Sequence, residues 1–198
     1  MEDIRYDIKW LTDKPSINGH FVIEKCFSYG RYMGVVVFTD MGHRCGYVIL
    51  PKGEEEKYKE IAPYDIPVSC HGGVTYFEQG HDFLNTEQWL IGFDCSHLND
   101  SRDIESLKKY FPDNERLVRN AEFFYGLDNG VVRNSQYVVD ELISMCNQLE
   151  DNYFEGKSES EKALNRLVFS LNDEQTKLFG DYVNAVHAER VAKLCTES

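Results

Sequence analysis

A chain of 198 residues with 42% hydrophobic and 13% aromatic content can bury a core of its own, which excludes a disordered polypeptide. Its formal charge of −13, from 21 Lys and Arg against 34 Asp and Glu, is shared by both halves and repels DNA, RNA and anionic membranes. No stretch nears the ~20 apolar residues of a membrane span, and the acidic start Met1-Glu2-Asp3-Ile4 lacks the basic and apolar regions of a signal peptide; a soluble cytoplasmic protein with reduced thiols is expected.

In chain order, the first half reads as strands. Gly34 to Phe38 is a β-branched run, Asp40-Met41-Gly42 is a turn signal, and Gly46 to Leu50 is a second run closed by Pro51. Together they predict a hairpin with His43 and Cys45 at the start of its return strand. A polar connection over Lys52–Tyr58 follows, then strand-like runs Val74–Phe77 and Trp89–Phe93. After Asp100 the character turns helical. A short helix is predicted from Ile104 to Phe111, stopped by Pro112, and a longer one from Gln136 to Leu149 with Val138, Leu142, Met145, Cys146 and Leu149 at helical spacing. Asp151 to Glu159 reads as a polar linker. Ser158 with Glu161 is a capping-box pattern ahead of Leu164, Leu167, Val168 and Leu171, and Asn172 with Gln175 opens a second helix through Leu178, Phe179 and Tyr182. The expected fold is α+β: a small, mostly antiparallel N-terminal sheet domain over residues 1–101, a helical extension over 102–150, and a C-terminal helical hairpin over 151–198.

Histidine and cysteine gather in three clusters: His43-Arg44-Cys45, Cys70-His71 and Cys95-Ser96-His97. Residues two apart on a strand share a face, so each outer pair could aim one imidazole and one thiolate at a common point. Tetrahedral zinc takes such ligands, and the candidate metal set is His43, Cys45, Cys70, His71, Cys95 and His97. A structural ion would link two hairpins distant in sequence. In a catalytic variant, His71, His97 and a carboxylate such as Asp94 or Asp100 would bind the ion and leave a position for water. Cys95 with a histidine base is a thiol alternative, with Gly72-Gly73 offering backbone amides to an oxyanion. The bland reading stays open beside these: strand-end His and Cys often only satisfy hydrogen bonds, Asp94 could cap a turn, and Asp100 could N-cap the short helix.

Taken in order, Gly42-His43-Arg44-Cys45-Gly46-Tyr47-Val48, His71-Gly72-Gly73-Val74-Thr75-Tyr76 and Gly92-Phe93-Asp94-Cys95-Ser96-His97 through Asp100 resemble a group of small phage and prophage proteins marked by HGG-T-Y and GFDC-x-H elements. The likeness covers roughly residues 30–101 and implies a setting more than a chemistry. A phage-type acidic protein with a metal centre is similar in kind to anti-CRISPR inhibitors. The resemblance and the charge lead to one expectation: an acidic zinc-binding protein that binds and inhibits a basic, nucleic-acid-handling host enzyme, with a Cas9-type nuclease as the best single partner and no direct nucleic-acid binding. The alternative is a metal- or thiol-dependent hydrolase of a small metabolite, with His71, Asp94, Cys95, His97 and Asp100 as its working residues.

Overall fold

The computed structural model describes residues 6–12, 14–82, 84–113, 115–125 and 130–170. The chain divides into two compact units, residues 1–155 and 156–198. Position 101 separates no units: the helices expected as a separate extension belong to the first one.

Its centre is an antiparallel sheet of seven strands: β1 (Lys9–Thr12), β2 (Ser16–Asn18), β3 (Phe21–Tyr29), β4 (Tyr32–Thr39), β5 (Arg44–Ile49), β6 (Tyr76–His81) and β7 (Leu84–Asp94). The strand order is β1-β3-β4-β5-β7-β6, with β2 also pairing β3. The predicted hairpin is β4–β5, closed where the Thr39 amide donates to the His43 carbonyl. β4 and β5 read as near-continuous apolar runs because both faces of the sheet are covered. Val36, Val48, Ile91 and Phe93 point into one core, and Val35, Val37, Cys45, Tyr47 and Leu90 into a second on the opposite face.

The first core is closed by α3 (Ser135–Phe154), which packs on β5, β4 and β3. Its buried stripe of Val138, Val139, Leu142, Met145, Cys146 and Leu149 follows the predicted spacing. Asn134 caps it by accepting from the Tyr137 amide. The helix continues past the predicted end, through Asp151 to Phe154, because Phe154 is buried and extends the apolar stripe. Gly46 makes the close approach of α3 possible: a Cβ there would stand 2.9 Å from Val138 and 2.7 Å from Phe93.

Between β7 and α3 the chain forms a short β8 (Asp100–Ser101), α1 (Ile104–Tyr110), α2 (Glu115–Tyr125) and β9 (Val131–Val132), which pairs in parallel with β8. Asp103 caps α1 by accepting from the Ser106 amide. The N-cap expected of Asp100 thus falls to Asp103, and Asp100 is left for another task. Beneath α1, the buried Arg44 guanidinium grips both oxygens of Glu24, Asp103 Oδ2, Ser106 Oγ and the Arg133 carbonyl, at 2.6–3.0 Å.

In the second unit, α4 (Glu159–Ser170) starts on the predicted capping box: Ser158 N and Oγ both donate to the Glu161 carboxylate, at 2.8 and 2.7 Å. The second helix of the predicted hairpin, from Asn172 on, lies outside the described residues, as do Cys195 and His187. Among the described residues no helix is long and apolar enough to cross a membrane.

Candidate metal centre

His71 sits in the turn 70–73, where Gly73 N donates to the Cys70 carbonyl, and its own amide donates to Glu141 of α3 at 2.9 Å. That bond ties the turn to the helix. His97 and Asp100 form a reciprocal turn after β7: the His97 amide donates to Asp100 Oδ2 at 3.0 Å and the Asp100 amide to the His97 carbonyl at 2.9 Å. Asp94 sets the start of this loop by accepting from the Ser96 amide and from Thr75 Oγ1. It is therefore the turn cap that sequence reading allowed.

These two turns bring three groups together. His71 Nε2 lies 2.7 Å and His97 Nδ1 3.4 Å from the same oxygen, Asp100 Oδ2. The nearest ligand atoms of His71, His97 and Asp100 all lie within 4.8 Å of one another, and the three could hold a metal ion. The Asp100 side chain is 2% exposed and that of His97 37%, so the group has a buried floor and an open side. His97 Nδ1 is buried and has no hydrogen-bond partner. An imidazole nitrogen that stands 3.4 Å from a carboxylate oxygen without a hydrogen bond to it is the feature that best fits a cation ligand.

The surroundings hold the donors in place. Arg133 Nε donates to Asp100 Oδ1 at 2.9 Å, so the carboxylate keeps Oδ2 for the histidines. Tyr137 Oη stands 2.9 Å from His71 Nδ1. Where a cation replaces the proton between His71 Nε2 and Asp100 Oδ2, His71 can keep its proton on Nδ1, which donates to Tyr137 Oη, and Nε2 becomes the donor atom. Metal-ligating histidines commonly have such a partner on the other nitrogen.

Burial alone would raise the Asp100 pKa, but the hydrogen bonds from Arg133, His71 and the His97 amide overcome it and hold the carboxyl at about 2. A folded value below the ordinary 3.8 means that the unfolded chain takes up its proton first as pH falls. Asp100 thus stabilises the metal-free fold above pH ~4, by about 2 kcal/mol, and the contribution vanishes as pH falls towards 2. Denaturant midpoints of metal-free protein between pH 5 and 2 will show the loss, and Asp100→Asn will flatten it; an equal slope in both proteins would contradict this assignment.

Gly72 fits against the His97 ring. A Cβ on it would come within 2.0 Å of that ring, and its φ of +68° is one that side chains rarely adopt. Gly72→Ala is expected to displace His97, weaken metal binding at least tenfold and cost about 1–2 kcal/mol of stability through backbone strain. Calorimetric titration with zinc checks this, and unchanged affinity would contradict it.

Of the other residues singled out from sequence, none joins the group. The β5–β7 register pairs Cys45 with Asp94, so Cys45 and Cys95 turn to opposite faces: Cys45 into the second core, Cys95 into the first. The mirror-image pairs therefore do not converge on one point. His43 stands at the β4–β5 turn, where its Nδ1 lies 3.4 Å from Thr39 Oγ1. Cys70 packs against the first core. Burial pushes the Cys45 and Cys70 thiols up to about 12, and burial with the nearby Asp100 pushes Cys95 higher still. None of them is a ready thiolate in the metal-free protein. Sequence reasoning missed Arg133, Tyr137 and Glu141. The only trace of the last two is their separation of four on the polar side of a predicted helix.

No protein-family model matches the chain, and no curated protein and no solved structure matches it either.

Proposed function

We propose that His71, His97 and Asp100 hold zinc and that the centre is hydrolytic. The observation that carries this reading is the donor set, two imidazoles and a carboxylate with one side open. Three protein ligands of nitrogen and oxygen with a vacant position are the pattern of catalytic zinc, whereas structural zinc is closed by four ligands, usually rich in cysteine. Zinc in such a site supplies Lewis-acid chemistry. The chain's own residues orient it: Tyr137 fixes the His71 ring, Glu141 holds the His71 backbone amide, and Arg133 fixes the carboxylate.

The test is hydrolysis of small chromogenic carboxylate and phosphate esters by the metal-loaded full chain, with and without a chelator. Turnover lost on chelation and restored by zinc, and lost in His97→Ala with the fold intact, is expected. Metal-independent turnover, or none on any ester, would count against a hydrolytic centre.

A second reading rests on the charge of −13 and on the phage-type resemblance. An acidic body would be steered to a basic nucleic-acid-handling enzyme, a Cas9-type nuclease first among them, and would inhibit it by occupying its channel. Salt-sensitive binding to the purified nuclease that survives His97→Ala would favour this reading over the hydrolase.

A further inference from the structure

Arg133 is the cation at the centre. It follows β9 and precedes the cap of α3, and three contacts fix it: Nε on Asp100 Oδ1 at 2.9 Å, the guanidinium carbon 4.8 Å from the centre of the Tyr137 ring, and its carbonyl on Arg44 Nη1 at 3.0 Å. The two arginines of this region are used differently. Arg44 meets Glu24 with both Nε and Nη2 on separate oxygens, the bidentate pairing that best neutralises a carboxylate. Arg133 meets Asp100 with Nε alone. A guanidinium carries five N–H donors in a planar fork. Among the described residues only this one of them meets a side-chain acceptor, and the Arg133 side chain is 25% exposed.

The carboxylate that Arg133 holds by one oxygen offers the other to His71 and His97. The guanidinium and the two imidazoles therefore meet opposite oxygens of one carboxylate. The guanidinium's orientation is fixed before any ligand arrives, so little ordering cost remains for binding.

We propose that the outer edge of the Arg133 guanidinium binds an oxyanion group, a carboxylate or a phosphate ester, of a small ligand seated beside the metal. The proposal rests on the reading of His71, His97 and Asp100 as a metal centre and adds the substrate class. The charge of −13 limits that class: a polyanion such as nucleic acid is repelled by the whole surface, while a small ligand with one anionic group meets mainly the local cations.

The experiment is calorimetric titration of the full chain, first with zinc chloride, then of the zinc-loaded, dialysed protein with sodium acetate and with sodium phosphate at low ionic strength. Wild type is expected to bind one zinc and then one anion per chain, the tighter of the two anions naming the group. Arg133→Gln keeps an N–H for Asp100 and loses the charge and the fork; in protein saturated with zinc, anion affinity should fall at least about tenfold, the loss of one charged hydrogen bond. Should that variant fail to fold, Arg133→Lys, which keeps the charge without the fork, is expected to lose about fivefold. A chain that binds no zinc overturns the metal centre and this proposal with it. A zinc-loaded chain that binds neither anion, or binds them equally well after either substitution, overturns this proposal alone.

Discussion

Arg44→Ala will cost the first unit about 3–5 kcal/mol, enough to leave it marginally folded. The side chain is 4% exposed and meets five acceptor atoms: two on Glu24 and one each on Asp103, Ser106 and the Arg133 carbonyl. Removing it strands Glu24, whose side chain is 7% exposed, and Asp103, whose side chain is 15% exposed, without their cation. An unpaired buried charge costs far more than a surface ion pair returns. The same loss releases β5 from the start of α1 and from the backbone just before α3. Urea unfolding of the variant will check it. A loss under 1 kcal/mol would show that the network is dispensable. Arg44→Met, which keeps much of the packing volume, is expected to recover only part of the loss.

Asp100→Ala is the second large effect, and it acts on both the fold and the site. Its carboxylate accepts from Arg133 Nε, the His97 amide and His71 Nε2, so alanine leaves these donors beneath the surface with no acceptor. Stability should fall by about 2–4 kcal/mol. Zinc affinity should fall at least a hundredfold, because one ligand is lost and both histidines lose the group that orients them. Asp100→Asn separates the two consequences: the amide oxygen can still accept from Arg133, so stability should recover in part while zinc affinity stays low. Calorimetry and urea unfolding on the same samples read both, and an Asp100→Asn protein that binds zinc like wild type would contradict the assigned ligand.

Much of the fold was legible because it is local. The β4–β5 hairpin announces itself by two β-branched runs around Asp40-Met41-Gly42, and α3 and α4 by apolar spacing and capping residues. The order of the sheet was not legible. Nothing near β5 says that its second neighbour is β7, more than thirty residues on, and that pairing decides the fate of the thiols. Alternation could not carry either histidine–cysteine pair, since His43 stands before β5 and Cys95 to His97 follow the end of β7. A register placing Cys45 opposite Asp94 rather than Cys95 then puts the two sulfurs on opposite faces.

The candidate site was legible in the same measure. His71, His97 and Asp100 all stood among the residues singled out, since turns at strand ends carry side chains free of the core. Which of six histidines and cysteines share a point is a matter of tertiary placement. The partners that complete the centre come from α3 and the segment before it, and no local signal says that Tyr137 and Glu141 face a turn some seventy residues earlier. Arg44 lay in plain view between His43 and Cys45, and its role is the structural one of holding the region in which the centre is built.

The central claim is that one metal ion binds His71, His97 and Asp100. Metal content of the untagged full chain by mass spectrometry, beside His97→Ala, tests it most directly. His97 is partly exposed and should be replaceable without loss of the fold. One zinc per wild-type chain and none in His97→Ala is the expected result. A wild-type chain that takes up no metal, or a His97→Ala chain that keeps it, would contradict the account.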